Sequence, residues 1–156
     1  MLPDRKAVKD LFEGLLGRDV AVAGGKPVDV GIPKPVVASY VDDGHRLRAV
    51  AVMDLALAAR CGAAIALVPK GAADDSIENQ LLAPNLFDNA SEICNVLAAT
   101  LGDALDVHLR LSMSYAPSDP LPPQVFNTAT QPAAREDLEL EIAGYGPGGL
   151  SVVIAL

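Results

Sequence analysis

Tryptophan is absent from this chain of 156 residues, and aromatic residues of all kinds make up 4% of it. The core must then be aliphatic, and a cofactor held by stacking between several rings is not expected. Cysteine occurs only twice, as Cys61 in "AARCGAAIAL" and Cys94 in "EICNVL". Two cysteines among apolar neighbours make no disulfide framework and read as small buried hydrophobes. The only histidines, His45 and His108, stand in no recognisable motif, so a Cys–His nucleophile is not expected. Without CxxC or HExxH, neither is a metal site of the chain's own. Basic residues are scarce: 12 Lys and Arg against 20 Asp and Glu leave a net charge of −8 and a pI near 4.6. Such a surface argues against nucleic acid and anionic membranes as partners, since affinity for both comes from Lys and Arg on phosphates. No long apolar run is present, which argues against a signal peptide or membrane span and for a cytoplasmic protein.

The 51% hydrophobic content and mean hydropathy of +0.30 argue against disorder. The length suits one domain, residues 1–156, with a core of its own. "PDRKAVKDLFEGLLG" places Val8, Leu11, Phe12 and Leu15 at helical spacing and stops at Gly17. "VDVGIP" and "PVVASYV" read as short strands. "RLRAVAVMD" is a third, reached through "DDGH", where Asp43-Gly44 suits the positive backbone angles of a tight hairpin. Asp54 caps a helix that is apolar on nearly all sides, "LALAARCGAAIALV", and Pro69 ends it. "KGAADDSIENQLL" reads as a polar connection with one short helix. Pro84 opens a long helix predicted to run through "PNLFDNASEICNVLAATL" to a C-terminal cap at Gly102. "VHLRLSMSY" alternates, with Val107, Leu109, Leu111, Met113 and Tyr115 on one side. A proline-rich loop over 117–134 precedes the strand "LELEIAGY". "GPGG" then turns the chain, and "LSVVIAL" ends it as an apolar strand, suited to an edge or an interior position.

Each half thus reads as one helix followed by three strands. The expected fold class is α+β: two pseudo-duplicated helix-plus-three-strand halves, with a β-sheet packed against long helices on one side.

The stretch "DNASEICN" lies inside the long helix. At about 100° per residue, Glu92 falls near 40° and Asn95 near −20° from Asp88, an arc of roughly 60°. Leu86, Ala90, Ile93, Cys94, Leu97 and Leu101 gather on the opposite side and must face the sheet. Glu92 and Asn95 are therefore predicted on an outward crest, with Ala99 next along it. The crest is short-chained and free of Lys and Arg, so a partner can approach it closely. A solvated helix face would, by itself, also account for polar residues opposite an apolar stripe.

The intervals from Asp88 to Glu92 to Asn95, and on to Pro117, resemble the signature of the CheC/CheX/FliY family of chemotaxis phosphatases. That signature is Asp or Ser, Glu and Asn on one long helix, with a proline beyond. All four positions match here, and the order of helices and strands resembles the family's over most of the chain. Some members carry such a site in each half. The first helix here offers Glu13, but Lys9 and Leu16 stand at the other two positions. Aligned instead through Gly17 and Gly102, the three positions become Pro3, Ala7 and Asp10. One site is what the residues support, the CheX-like arrangement.

The resemblance implies hydrolysis of the aspartyl phosphate on a phosphorylated CheY-like response regulator, in chemotaxis or two-component signalling. It implies catalytic roles for Glu92 and Asn95, a binding role for Asp88 beside the small Ala99, and a structural role for Pro117. It implies no cofactor of the chain's own, the Mg²⁺ belonging to the regulator. A homodimer through strand edges stays open. Two alternatives stand beside the phosphatase. One is a non-catalytic interaction module, resembling flagellar switch proteins, that binds a regulator or the motor. The other is a small-molecule sensor, which needs a concave apolar pocket.

Overall fold

Asp4 starts the first helix by accepting a hydrogen bond from the Ala7 N–H at 2.7 Å, and α1 (Arg5–Leu16) ends at Gly17, whose φ is 66°. The structure, a computed structural model, describes residues 2–156. Three strands follow in the first half: β1 (Val20–Gly24), β2 (Val36–Val41) and β3 (Leu47–Met53). Asp54 caps α2 (Leu55–Ile65) through the Leu57 N–H, and its other oxygen accepts from the Gly149 N–H at 2.9 Å. The cap thus also ties the helix to the last strand. After α3 (Lys70–Glu78) come α4 (Pro84–Leu105) and β4 (Arg110–Tyr115). The short helix α5 (Pro123–Ala129) precedes β5 (Arg135–Ile142) and β6 (Gly146–Ile154).

The six strands form one sheet in the order β1-β5-β6-β3-β2-β4, and every neighbouring pair is antiparallel. Exchanging β1 with β4, β2 with β5 and β3 with β6 reverses that order onto itself. The expected duplication is therefore a pseudo-twofold axis between β3 and β6, where Ala51 pairs with Val152. The halves interleave, because β1 pairs with β5 and β4 with β2. Strand β6, the bulk of "LSVVIAL", lies inside the sheet; the edges are β1 and β4.

One sheet face meets α1, α2 and α4 through Ala38, Tyr40, Ala51, Met53 and their neighbours, forming the main aliphatic core. The other face is not bare. Val37, Val50 and Val52 lie under Val28 and under Val125 and Ala129 of α5, so one helix of the proline-rich segment covers the side expected to lack helices.

Several expected elements shift, each for a local reason. "VDVGIP" is not a strand: Pro27 and Pro33 lack N–H donors, and the Val28 N–H goes to Ser151 Oγ at 2.9 Å instead of to a ladder. The third strand of that half is "VAVAG". In the β2–β3 turn the positive φ falls on His45, at 63°, because Asp42 Oδ1 accepts from both the Gly44 and Arg46 N–H groups and moves the left-handed position one residue on. "GPGG" begins β6; the turn is residues 143–145, closed by Tyr145 N–H to Ile142 O at 2.9 Å. A bulge between Ser39 and Tyr40 also breaks the alternation of β4, sending Leu111 toward the helices and Met113 to the opposite face, where it is 53% exposed.

Candidate functional site

Helix α4 forms because Pro84 presets its first turn and Leu86, Ala90, Ile93, Cys94, Leu97 and Leu101 repeat at helical spacing; all six are buried. It does not stop at Gly102. It continues to Leu105 and ends on Asp106, with φ of 56°. Gly102 serves a different purpose: a Cβ there would lie 2.7 Å from the Val107 carbonyl, and the Val107 N–H bonds the Gly102 carbonyl at 3.0 Å. The missing side chain lets the returning chain cross the last turn.

Three hydrogen bonds fix α4 at the level of "DNASEICN". Asn89 Nδ2 donates to the Gly62 carbonyl of α2 at 2.9 Å. The Ser91 hydroxyl meets the Ser114 hydroxyl of β4 at 2.6 Å. From beneath, the fully buried Tyr40 hydroxyl donates to the Cys94 carbonyl at 2.6 Å, and burial keeps that phenol protonated by pushing its pKa well up. Gly62 adds close packing: a Cβ there would come within 2.4 Å of the Leu86 carbonyl oxygen. Asn89, Ser91, Ser114 and Tyr40 were not identifiable from the sequence. Only Gly62, a glycine inside an alanine-rich helix, carried a signal of close backbone approach.

The crest stands clear of this scaffold. Asp88, Glu92, Asn95 and Ala99 are all exposed. Among the described residues, the side chains of Asp88, Glu92 and Asn95 take part in no hydrogen bond or ion pair, whereas their neighbours Asn89 and Ser91 do. Pro117 sits half-buried just past β4, in a turn closed by Asp119 N–H to Ala116 O at 2.9 Å and by Ala116 N–H to Asp119 Oδ2 at 2.8 Å. It belongs to the same end of the molecule: Pro117 and Phe87 line one groove.

Other candidates fall away. Burial raises the Cys94 thiol to about 12 and pushes the Cys61 thiol well above its ordinary range, so neither supplies a thiolate near neutral pH. His45 lies in the β2–β3 turn and His108 just before β4, His108 Nδ1 2.7 Å from Asp43 Oδ1 and His45 Nδ1 2.6 Å from Arg110; both are exposed, whereas both cysteines are buried. Among the described residues no cluster of His, Cys, Asp or Glu is arranged to hold a metal ion, and no helix is long and apolar enough to cross a membrane.

No family model and no curated protein matches the sequence. Solved structures do match. The FliM middle domain from H. pylori superposes with a TM-score of 0.62 at 8% identity, over 97% of this chain and 88% of that one. The CheX–CheY–BeF3–Mg²⁺ complex from Borrelia burgdorferi gives 0.55 at 12% identity, over 97% of this chain and 94% of its own. Thermotoga maritima FliY gives 0.53 at 20% identity, covering 96% and 82%. The chain has the fold of the CheC/CheX/FliY group, which the FliM middle domain shares. At these identities the likeness concerns the fold; function has to be argued from the site.

Proposed function

We propose that this protein accelerates hydrolysis of the aspartyl phosphate of a CheY-like response regulator, by inserting Glu92 and Asn95 into the regulator's catalytic pocket. The observation that carries the reading is the pair itself: adjacent, exposed and without intramolecular partners, on a helix held from three other directions. The CheX–CheY complex, a structural neighbour of the same fold, supports a regulator as the partner.

Asn95 suits the chemistry because its amide is uncharged and both donates and accepts hydrogen bonds. Its carbonyl oxygen accepts from a water and holds it in line with the phosphorus. A carboxylate in that place would repel the phosphoryl oxygens. Water attacks phosphorus, the bond from phosphorus to the acyl oxygen breaks, and the products are inorganic phosphate and the free aspartate. Glu92, one turn earlier, accepts from the regulator's lysine and sets the register of the helix, which serves geometry more than affinity. Asp88 contributes at the edge of the contact, Ala99 leaves room for the approaching surface, and Pro117 shapes the adjoining turn. Mg²⁺ is supplied by the regulator and counters charge on the phosphoryl group; no residue of this chain acts as a nucleophile. A hundredfold acceleration requires about 2.7 kcal/mol, which positioning one water supplies.

The net charge of −8 gives no long-range steering toward an acidic regulator, so the complex is transient and rests on local fit. The test follows phosphate loss from a phosphorylated CheY-like regulator with wild-type protein, with Asn95→Ala and with no addition. Faster decay with wild type alone supports the reading; three equal rates refute it. The likeness to the FliM middle domain favours a second reading, a module that binds a regulator or motor component without turnover. Binding without acceleration would select it.

A further inference from the structure

A groove of about 1020 Å³ opens at the N-terminal end of α4. Leu81, Pro84 and Phe87 line it together with Ile32, Pro33 and Pro117. Leu81 is 74% and Ile32 80% exposed. A contiguous apolar surface of this kind marks a place where another molecule sits.

Its position names the occupant. Phe87 immediately precedes Asp88, and Pro117 is the fourth position of the motif, so the groove continues the crest that carries Glu92 and Asn95. Phe87 lies eight residues from Asn95, or about 12 Å along the helix. A standard interface covers ~800 Å² per partner, a patch roughly 32 Å across, and a small transient one is still roughly 28 Å across. A macromolecule centred on Asn95 therefore reaches the groove even with the smaller footprint. Charge adds direction. Asp75 and Lys34 are the charged residues of the lining, and Asp88 and Glu92, exposed and unpaired, follow Phe87 along the helix.

We propose that the groove is the specificity surface of the phosphatase site: it receives aliphatic side chains, flanked by a basic residue, from the rim of the response regulator's catalytic pocket. The inference rests on the reading under Proposed function. Asn95 then sets the rate, while Leu81, Ile32 and Phe87 set which regulator is accepted.

The experiment separates the two. Binding of a CheY-like regulator loaded with beryllofluoride and Mg²⁺ is titrated for wild type, Leu81→Glu, Leu67→Glu and Asn95→Ala, and KM and kcat are measured on the phosphorylated regulator. Leu67 is as exposed as Leu81, at 75%, but lies outside the groove. Leu81→Glu is expected to weaken binding and raise KM by about tenfold with kcat unchanged. Leu67→Glu should change neither, and Asn95→Ala should lower kcat and keep the affinity. Equal affinity for wild type and Leu81→Glu overturns the groove while leaving the phosphatase reading intact. An equal loss in Leu67→Glu overturns it too, because added charge alone would then explain the effect. A wild-type dimer that Leu81→Glu converts to monomer in sedimentation assigns the groove to a second copy and overturns the proposal. Wild type that neither binds nor dephosphorylates the regulator overturns both readings.

Discussion

Helices α1 and α4 occupy equivalent places in a sheet that maps onto itself, yet only one of them presents a free polar crest. The sheet register makes the comparison concrete. Val20 of β1 pairs with Ile142, the last residue of β5, as Arg110 of β4 pairs with Val41, the last residue of β2. Val20 then answers to Arg110, and Asn95 answers to Arg5 at the first turn of α1. Glu92 and Asp88 have no counterpart inside α1, which has 12 residues against 22 in α4. Two of the motif's three helix residues sit on the added length. The glutamate that α1 does carry is engaged within the fold: Glu13 accepts from Lys9 Nζ at 2.7 Å and from the Val20 N–H at 3.0 Å, and Leu16 beyond it is buried. One half closes its own strand, and the other leaves its polar side chains without partners inside the fold.

Four substitutions break or sharpen that contrast. The largest effect belongs to Asn95→Ala, expected to remove at least about a hundredfold of the rate, ~2.7 kcal/mol of transition-state stabilisation, in a phosphate-release assay. Being exposed, the same change should move unfolding free energy by less than about 0.5 kcal/mol in a urea titration. Next is Gly62→Ala. Its methyl group meets the Leu86 carbonyl, so α2 and α4 must separate at a cost of about 1–3 kcal/mol, read in the same titration. Tyr40→Phe comes third: loss of the hydrogen bond to the Cys94 carbonyl costs about 1–3 kcal/mol because a buried acceptor loses a partner, and kcat falls modestly as the crest loosens.

Glu13→Gln is the smallest and separates the helices most cleanly, since it should leave turnover untouched. The Lys9 ammonium, and then the Val20 N–H, hold the Glu13 carboxyl below its ordinary value of 4.5. The folded-state pKa is depressed, so its stabilisation is complete above the unfolded value and is lost as pH falls through the folded one. Wild type should therefore lose stability on acidification below that value, and Glu13→Gln should flatten part of the slope in melts run across it.

Much of this architecture was legible in residue pattern. The cap Asp54 and the apolar stripe of α4 follow from capping chemistry and periodicity and stand where expected, and each half does hold one long helix and three strands of the sheet, with "VAVAG" in place of "VDVGIP" in the first. The departures occur where tertiary contacts override local pattern. "VAVAG" is too short and too rich in small residues to announce a strand, and it forms one because β5 offers an edge. Gly102 looks like a cap because the sequence cannot show that Val107 crosses it. The β4 alternation is read correctly along the chain, but the bulge opposite Ser39 and Tyr40 depends on a strand far away in sequence. At the site, the crest was visible from helical spacing. Its supports, Tyr40, Asn89 and Ser91, were not, since each bonds a residue distant in the chain.

The most direct test observes the crest when a partner arrives. With the protein isotopically labelled, a CheY-like regulator carrying beryllofluoride and Mg²⁺ is added, and the side-chain amide signals of Asn95 are followed with the backbone signals of α1 and α4. The account predicts that Asn95 and the Asp88–Ala99 stretch shift or broaden while Lys9–Leu16 of α1 stays unchanged. Perturbation confined to α1 or to the strand edges, with Asn95 unmoved, would contradict it.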